Sequence, residues 1–162
     1  GNDTIMDSTV PVMVGIEGVS LSRPTVGLFH ACAQGDDDQV YCWGDNTSGQ
    51  LGDGTTTGRA TPQPVKAGAS LKLSNPGAGA IHTCAEGSDG NVWCWGANNG
   101  LLGDGTEDQR LTPARVQAPA GVRLSRLDVG YGHACAIGSN RCRASTRAGG
   151  CSSRAPTSCS AT

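Results

Sequence analysis

The sequence is poor in the residues that build most large cores. Aromatic side chains make up 4% of it, with one Phe, two Tyr and three Trp, and there are only two Met. Long interlocking helices are not expected from such a chain. Its 25 glycines favour short strands joined by tight turns. An excess of positive charge is also missing: 12 Lys and Arg against 14 Asp and Glu leave a net −2, with no basic footprint for nucleic acid. No apolar run approaches the ~20 residues of a membrane-spanning helix, and no charged-then-apolar leader opens the chain. The first residue is Gly1, and Gly1-Asn2-Asp3-Thr4 resembles Gly52-Asp53-Gly54-Thr55. The chain is therefore expected to start inside an earlier repeat, and the missing leader carries no information about export.

What is present is a long repeat. His30-Ala-Cys-Ala, a polar turn, Val40-Tyr-Cys-Trp-Gly44, then Asn46-Thr-Ser-Gly-Gln-Leu-Gly-Asp-Gly-Thr55 and Pro62 form the first copy. His82-Thr-Cys-Ala, Val92-Trp-Cys-Trp-Gly96, Asn98-Asn-Gly-Leu-Leu-Gly-Asp-Gly-Thr106 and Pro113 form the second. A third starts at His133-Ala-Cys-Ala. A pitch this long marks one supersecondary unit repeated in a solenoid or propeller.

Each unit reads as four short strands. An apolar segment ends in glycine: Leu21–Gly27, Leu71–Gly79 and Leu124–Gly130. A hairpin follows, turning at Gly35-Asp36-Asp37-Asp38 and at Ser88-Asp89-Gly90. The turn aspartates are read as solvated, not as a cation site. A polar glycine-rich connection leads to a last strand carrying Pro62 and Pro64, or Pro113, which belongs at a sheet edge. Four strands per unit make the blade of a β-propeller. The expected divisions are 1–18, the end of a preceding repeat; 19–69, repeat 1; 70–121, repeat 2; 122–140, the start of repeat 3; and 141–162, an aberrant tail.

Eight cysteines suit an oxidising compartment if they are paired. Cys32 and Cys42 stand ten apart, as do Cys84 and Cys94. Opposed positions on adjacent antiparallel strands suit a disulfide. Buried free thiols, or a zinc site with His30 or His82 as third ligand, are the alternatives. Cys135 has no cysteine ten residues on, so Cys135, Cys142, Cys151 and Cys159 are expected to pair weakly or not at all. If Cys32 faces Cys42, then Ala31 and Ala33 share the other face with Tyr41 and Trp43, small residues beside large rings.

These motifs resemble the repeat of the regulator of chromosome condensation family, whose hallmark is His-Thr-x-Ala-Leu, a turn, then Val-x-x-Trp-Gly-x-Asn-x-x-Gly-Gln-Leu-Gly. The resemblance covers about residues 1–137. It implies an all-β fold, a partial propeller of four-stranded antiparallel blades truncated at both ends, since the family closes seven blades. The matching structural positions are His30, Trp43, Gly44, Asn46, Gly52, Asp53, His82, Trp95, Gly96, Asn98, Gly103, Asp104 and His133. The family keeps the histidine where neither cysteine is present, which favours a structural histidine bonded to a neighbouring turn over a metal ligand. After Asn140 the pattern stops, with no aromatic or branched aliphatic residue beyond Ile137. Such a tail cannot offset its ordering entropy. A shifted reading frame of the third repeat explains it, and the coding DNA tests that.

No constellation for catalysis stands out. The histidines and cysteines recur because the scaffold recurs, and Leu-Gly-Asp-Gly-Thr lacks the Gly-Lys-Ser/Thr ending of a phosphate loop. No cofactor is expected. Asp53 and Asp104 are expected to accept backbone N–H bonds in tight turns. The residues after that frame differ: Thr56-Thr57-Gly58-Arg59-Ala60 against Glu107-Asp108-Gln109-Arg110-Leu111. A fixed frame with variable side chains suits a partner-binding loop, with Arg59, Glu107, Asp108 and Arg110 as the candidates. The expected function is a non-enzymatic scaffold binding a protein, outside the cytoplasm of a bacterial-type cell. Two alternatives follow from the resemblance: a guanine-nucleotide exchange factor for a small GTPase, and a secreted inhibitor of an enzyme such as a β-lactamase.

Overall fold

Three four-stranded antiparallel sheets follow one another along the chain. The structure is a computed structural model and describes residues 9–139, 143–145 and 151–152. The first sheet contains β1 Leu21–Val26, β2 His30–Gly35, β3 Val40–Gly44 and β4 Arg59–Pro64, in that order. β5 Leu73–Ala78, β6 His82–Gly87, β7 Val92–Gly96 and β8 Arg110–Arg115 repeat the pattern. The third sheet contains β9 Leu124–Val129 and β10 Ala134–Gly138, completed by β11 Arg143–Ser145 and β12 Cys151–Ser152. No helix occurs among the described residues. The architecture is the partial propeller that the repeat implies.

Residues 1–8 and the rest of the tail, 140–142, 146–150 and 153–162, lie outside the described residues. The expectations of a preceding repeat end over 1–8 and of weak pairing by Cys142 and Cys159 fall there, as does that of an unordered or frame-shifted tail except at 143–145 and 151–152, which pair as β11 and β12.

The inner edge of each sheet is its first strand, for β1, β5 and β9 pack against one another. In all three the ladder to the second strand slips by a bulge. At that slip Arg23, Asn75 and Arg126 take left-handed φ of 50°, 50° and 53°. The outer edges β4 and β8 carry Pro62, Pro64 and Pro113, whose missing N–H groups leave no interior ladder bond unmade.

The core consists of two seams between sheets. Cys32, Val40, Cys42, Leu51 and Val65 of the first unit meet Leu73, Ala85 and Trp95 of the second. Cys84, Val92, Cys94, Leu102 and Val116 of the second meet Val122, Leu124, Ala134 and Ala136. Period-2 alternation produces this: Cys32 and Cys42, and Cys84 and Cys94, point to the following sheet, while Ala85 and Trp95, and Ala134 and Ala136, point to the preceding one. Pairs Ala31↔Trp43, Cys32↔Cys42 and Ala33↔Tyr41 fix the register in the first hairpin, and Thr83↔Trp95, Cys84↔Cys94 and Ala85↔Trp93 in the second.

Candidate functional site

The cysteine pairs are bonded. Cys32–Cys42 and Cys84–Cys94 are cross-strand disulfides with Cα atoms 4.1 and 4.0 Å apart, and all four residues are fully buried in the seams. With the sulfurs joined to each other, the histidines have another task. His30 reaches to the next sheet, its Nε2 2.8 Å from Oγ1 of Thr83. The Thr83 hydroxyl donates to the carbonyl of Gln50 at 2.7 Å, and Nε1 of Trp95 donates to the same oxygen at 2.9 Å. Gln50, Thr83 and Trp95 thereby lock the first seam. Each histidine ring lies over a glycine: a Cβ on Gly27, Gly79 or Gly130 would meet the ring of His30, His82 or His133 at under 3 Å.

In the second seam Ala134 stands where Thr83 stands in the first, and it has no hydroxyl. Among the described residues neither ring nitrogen of His82 has a protein partner. Burial, assisted by the neighbouring His82, lowers the pKa of His30 to about 4. Burial and the neighbouring His133 do the same to His82. Both imidazoles are therefore neutral at ordinary pH.

The long connection between third and fourth strands is organised by one asparagine. Asn46 Nδ2 donates to Asp53 Oδ1 at 3.1 Å and to the carbonyls of Thr55 and Thr57 at 3.0 and 3.1 Å, while its Oδ1 accepts from Leu51 N at 3.0 Å. Asp53 accepts in turn from Thr55 N at 2.9 Å and Arg59 Nε at 3.0 Å. The second unit repeats the arrangement. Asn98 Nδ2 donates to Asp104, Thr106 O and Asp108 O at 3.1, 3.0 and 3.1 Å, and Arg110 Nε donates to Asp104 at 2.6 Å. Burial alone would raise the pKa of Asp53, but the bonds from Thr55, Arg59 and Asn46 outweigh it and hold it below the usual carboxylate value. The same balance, with Arg110 foremost among the donors, holds Asp104 down.

The first half of this connection is a wedge. Gln50 and Leu51 are fully buried, and Gly54 N donates to Leu111 O of β8 at 2.9 Å. Gly52 has φ +68°, and a Cβ there would lie 2.7 Å from Nε1 of Trp95. Trp95 is fully buried by this contact, whereas the matching Trp43 on the first sheet is half-buried. Gly44 and Gly96, with φ of 108° and 106°, end the third strands close against the backbones of His30 and His82. Gly103 takes the φ of Gly52, at 65°.

The candidate partner residues sit in the second half of the connection. Thr56, Thr57 and Gly58 are exposed, as are Glu107, Asp108 and Gln109. Arg59 and Arg110 are brought to the same place, but their side chains, 36% and 35% exposed, are tied to Asp53 and Asp104. The sequence singles these two out because arginine is favoured at interface hot spots, and gives no sign of this tie, which joins residues six apart across an irregular loop. Nor does it mark the turns between first and second strands. Asp45 N donates to Phe29 O and Ala97 N to Ile81 O, both at 2.9 Å, so these turns lie at the same end as the start of the long connections. Among the described residues no group of His, Cys, Asp and Glu could hold a metal ion.

Residues 37–85 and 89–137 each match the model of the Regulator of chromosome condensation (RCC1) repeat. The chain is 31% identical over 138 residues to the Ultraviolet-B receptor UVR8 of Arabidopsis thaliana, covering 85% of this chain and 31% of that protein. It is also 31% identical over 120 residues to the Probable E3 ubiquitin-protein ligase HERC3 of Homo sapiens, covering 73% of this chain and 11% of that one. The chain thus spans less than a third of either relative. Human WBSCR16 has a similar structure, with TM-score 0.72 at 18% identity over 85% of this chain and 37% of that one. Prp20p from Saccharomyces cerevisiae, described with its binding to Gsp1p and histones, superimposes with TM-score 0.64 at 23% identity, over 77% and 32% of the two chains.

Proposed function

The chain belongs to the regulator of chromosome condensation repeat family, and on that premise we propose that it is a non-catalytic scaffold that binds another protein outside the cytoplasm. The contact is made through the end of the sheets where the long connections emerge. One observation carries this reading: the same asparagine–aspartate–threonine–arginine frame is built twice, and the exposed residues held by it differ, Thr56-Thr57-Gly58 in one unit and Glu107-Asp108-Gln109 in the next. Rigid frames with variable tips are how loop scaffolds present binding residues. The protein binding named for the yeast structure is consistent with it. The two disulfides support an oxidising compartment. They weigh against the exchange-factor alternative, which operates where thiols stay reduced.

The test uses alanine variants of Arg59, Glu107, Asp108 and Arg110 in the protein with its full set of blades, against a partner found by cross-linking. Affinity should fall for Glu107→Ala and Asp108→Ala without loss of stability. Arg59→Lys and Arg110→Lys control for loosening of the loop. Unchanged affinity, together with a loss when the 35–39 turn is altered, would place the contact at the opposite end. Loss of inhibition of an enzyme by the same variants would identify the scaffold as an inhibitor.

A further inference from the structure

The turns between first and second strands form a continuous row. Leu28 N donates to Gly79 O at 3.3 Å and Ala80 N to Tyr131 O at 2.9 Å, so the turns of three successive sheets stand side by side. The row presents large apolar side chains to solvent: Leu28 is 50% exposed, Phe29 63% and Tyr131 72%, with Ile81 half-buried between them. Phe29 is the chain's one phenylalanine and Tyr131 one of two tyrosines. In a sequence this poor in aromatics, two of six occupy an exposed ridge while Trp95 and Tyr41 are buried. Tyr131 lies beside the preceding sheet and Leu28 beside the following one. Neither neighbour covers them.

The surroundings give the ridge a sign. Both arginines at this end are neutralised, Arg59 by Asp53 and Arg110 by Asp104. Glu107 and Asp108 are exposed and have no ion-pair partner among the described residues. Asp45 lies next to Phe29, its N–H bonded to the Phe29 carbonyl. An apolar ridge at an end of the sheets that carries unneutralised carboxylates complements a surface with an apolar cleft and a basic rim.

We infer that the 28–29, 80–81 and 131 turns are the anchoring ridge of this interaction end, and that its partner is a protein segment offering apolar side chains flanked by Lys or Arg. The inference rests on the scaffold reading above and specifies its partner. Aromatic anchors dominate such contacts, while charges at the rim set orientation and encounter rate.

The experiment selects binders from a displayed library of random 16-residue peptides on the immobilised 162-residue chain, then titrates the enriched peptides in solution. The peptides should combine aromatic or aliphatic residues with Lys or Arg. Phe29→Ser/Tyr131→Ser should weaken them by about tenfold or more, and Glu107→Lys/Asp108→Lys by several-fold with a flatter salt dependence. All four positions are exposed, and unchanged thermal melting verifies that the variants fold. Asp36→Asn/Asp38→Asn, at the opposite end, should leave binding unchanged. Peptides insensitive to the Phe29 and Tyr131 changes but lost on the Asp36 and Asp38 changes would overturn the ridge and leave the scaffold reading standing. Enrichment of acidic peptides would overturn the partner's chemistry. A library that yields no binder would count against both readings.

Discussion

Nε2 of His30 lies 2.8 Å from Oγ1 of Thr83, a contact that crosses from one sheet to the next. At the next seam His82 has Ala134 in that place, and both its ring nitrogens lack a protein partner among the described residues. The two seams share one plan, and one hydroxyl separates a buried histidine with Nε2 bonded and Nδ1 unpartnered from one with neither nitrogen bonded. A buried polar group without a bond costs about 1–3 kcal/mol.

Ala134→Thr should therefore stabilise the chain by about 1 kcal/mol, by supplying His82 with the bond that His30 already has. Thr83→Ala should destabilise it by about 1–3 kcal/mol, since His30 and the Gln50 carbonyl both lose a partner. Urea midpoints measure both. An Ala134→Thr midpoint below that of the parent would show that the second seam has no room for the hydroxyl.

Acid should destabilise the fold through the same rings. His30 and His82 are held at about 4, below the usual 6.5. As pH falls the unfolded chain takes up these protons first. Stability from the neutral rings is complete above about pH 6.5, is lost between 6.5 and 4, and changes no further below that. The loss amounts to up to about 3 kcal/mol per histidine. Midpoints recorded from pH 7.5 to 4 should slope downward, and His82→Asn should flatten the slope.

Both disulfides are fully buried between sheets. Dithiothreitol at neutral pH should leave them intact in the folded chain and reduce them once denaturant opens the seams, as counted by thiol labelling. Each closes a ten-residue separation, so Cys32→Ser/Cys42→Ser should cost about 2–3 kcal/mol. Rapid reduction without denaturant would mean that the seams open readily.

In the long connection the hydrogen bonds should matter more than the ion pair. Asp53→Ala removes the acceptor for Asn46, Thr55 and Arg59 together and should cost about 2–3 kcal/mol. Arg59→Ala, at a side chain more than a third exposed, should cost under about 1 kcal/mol. Thermal melts compare the two, and amide exchange at Thr55 should accelerate more in Asp53→Ala. Equal costs would mean that the guanidinium, not the asparagine, holds the loop.

Gly52→Ala should be among the costliest single methyl additions. It strains a φ of +68° and drives a Cβ against the Trp95 indole. A loss above about 2 kcal/mol is expected, with a change in tryptophan fluorescence.

The hairpins were legible in the sequence because strand periodicity is local. Once Cys32 is set opposite Cys42, alternation places Ala31 with Trp43 and Ala33 with Tyr41, and the structure has that register. Asp53 and Asp104 as acceptors of backbone N–H groups were legible for the same reason, since Thr55 and Thr106 are two residues away. The hub role of Asn46 was not, because its partners are five to eleven residues on through a segment without period. Nor was the wedge: Gln50 and Leu51 read as part of a polar loop, and only the neighbouring sheet buries them. The ridge of Leu28, Phe29 and Tyr131 escaped because the residues after the first-strand glycine show no common motif between units.

The matched family segments, 37–85 and 89–137, each start in the hairpin turn of one sheet and finish in the second strand of the next. What is copied along this chain is thus a joint rather than a sheet: the wedge that leaves one unit travels together with the strands that receive it. A gain or loss of 51 or 52 residues brings its own fitted junction, whichever point in the hairpin it breaks at. The number of units in such a chain is open to change by whole steps, while a change of a few residues within a step spoils a seam.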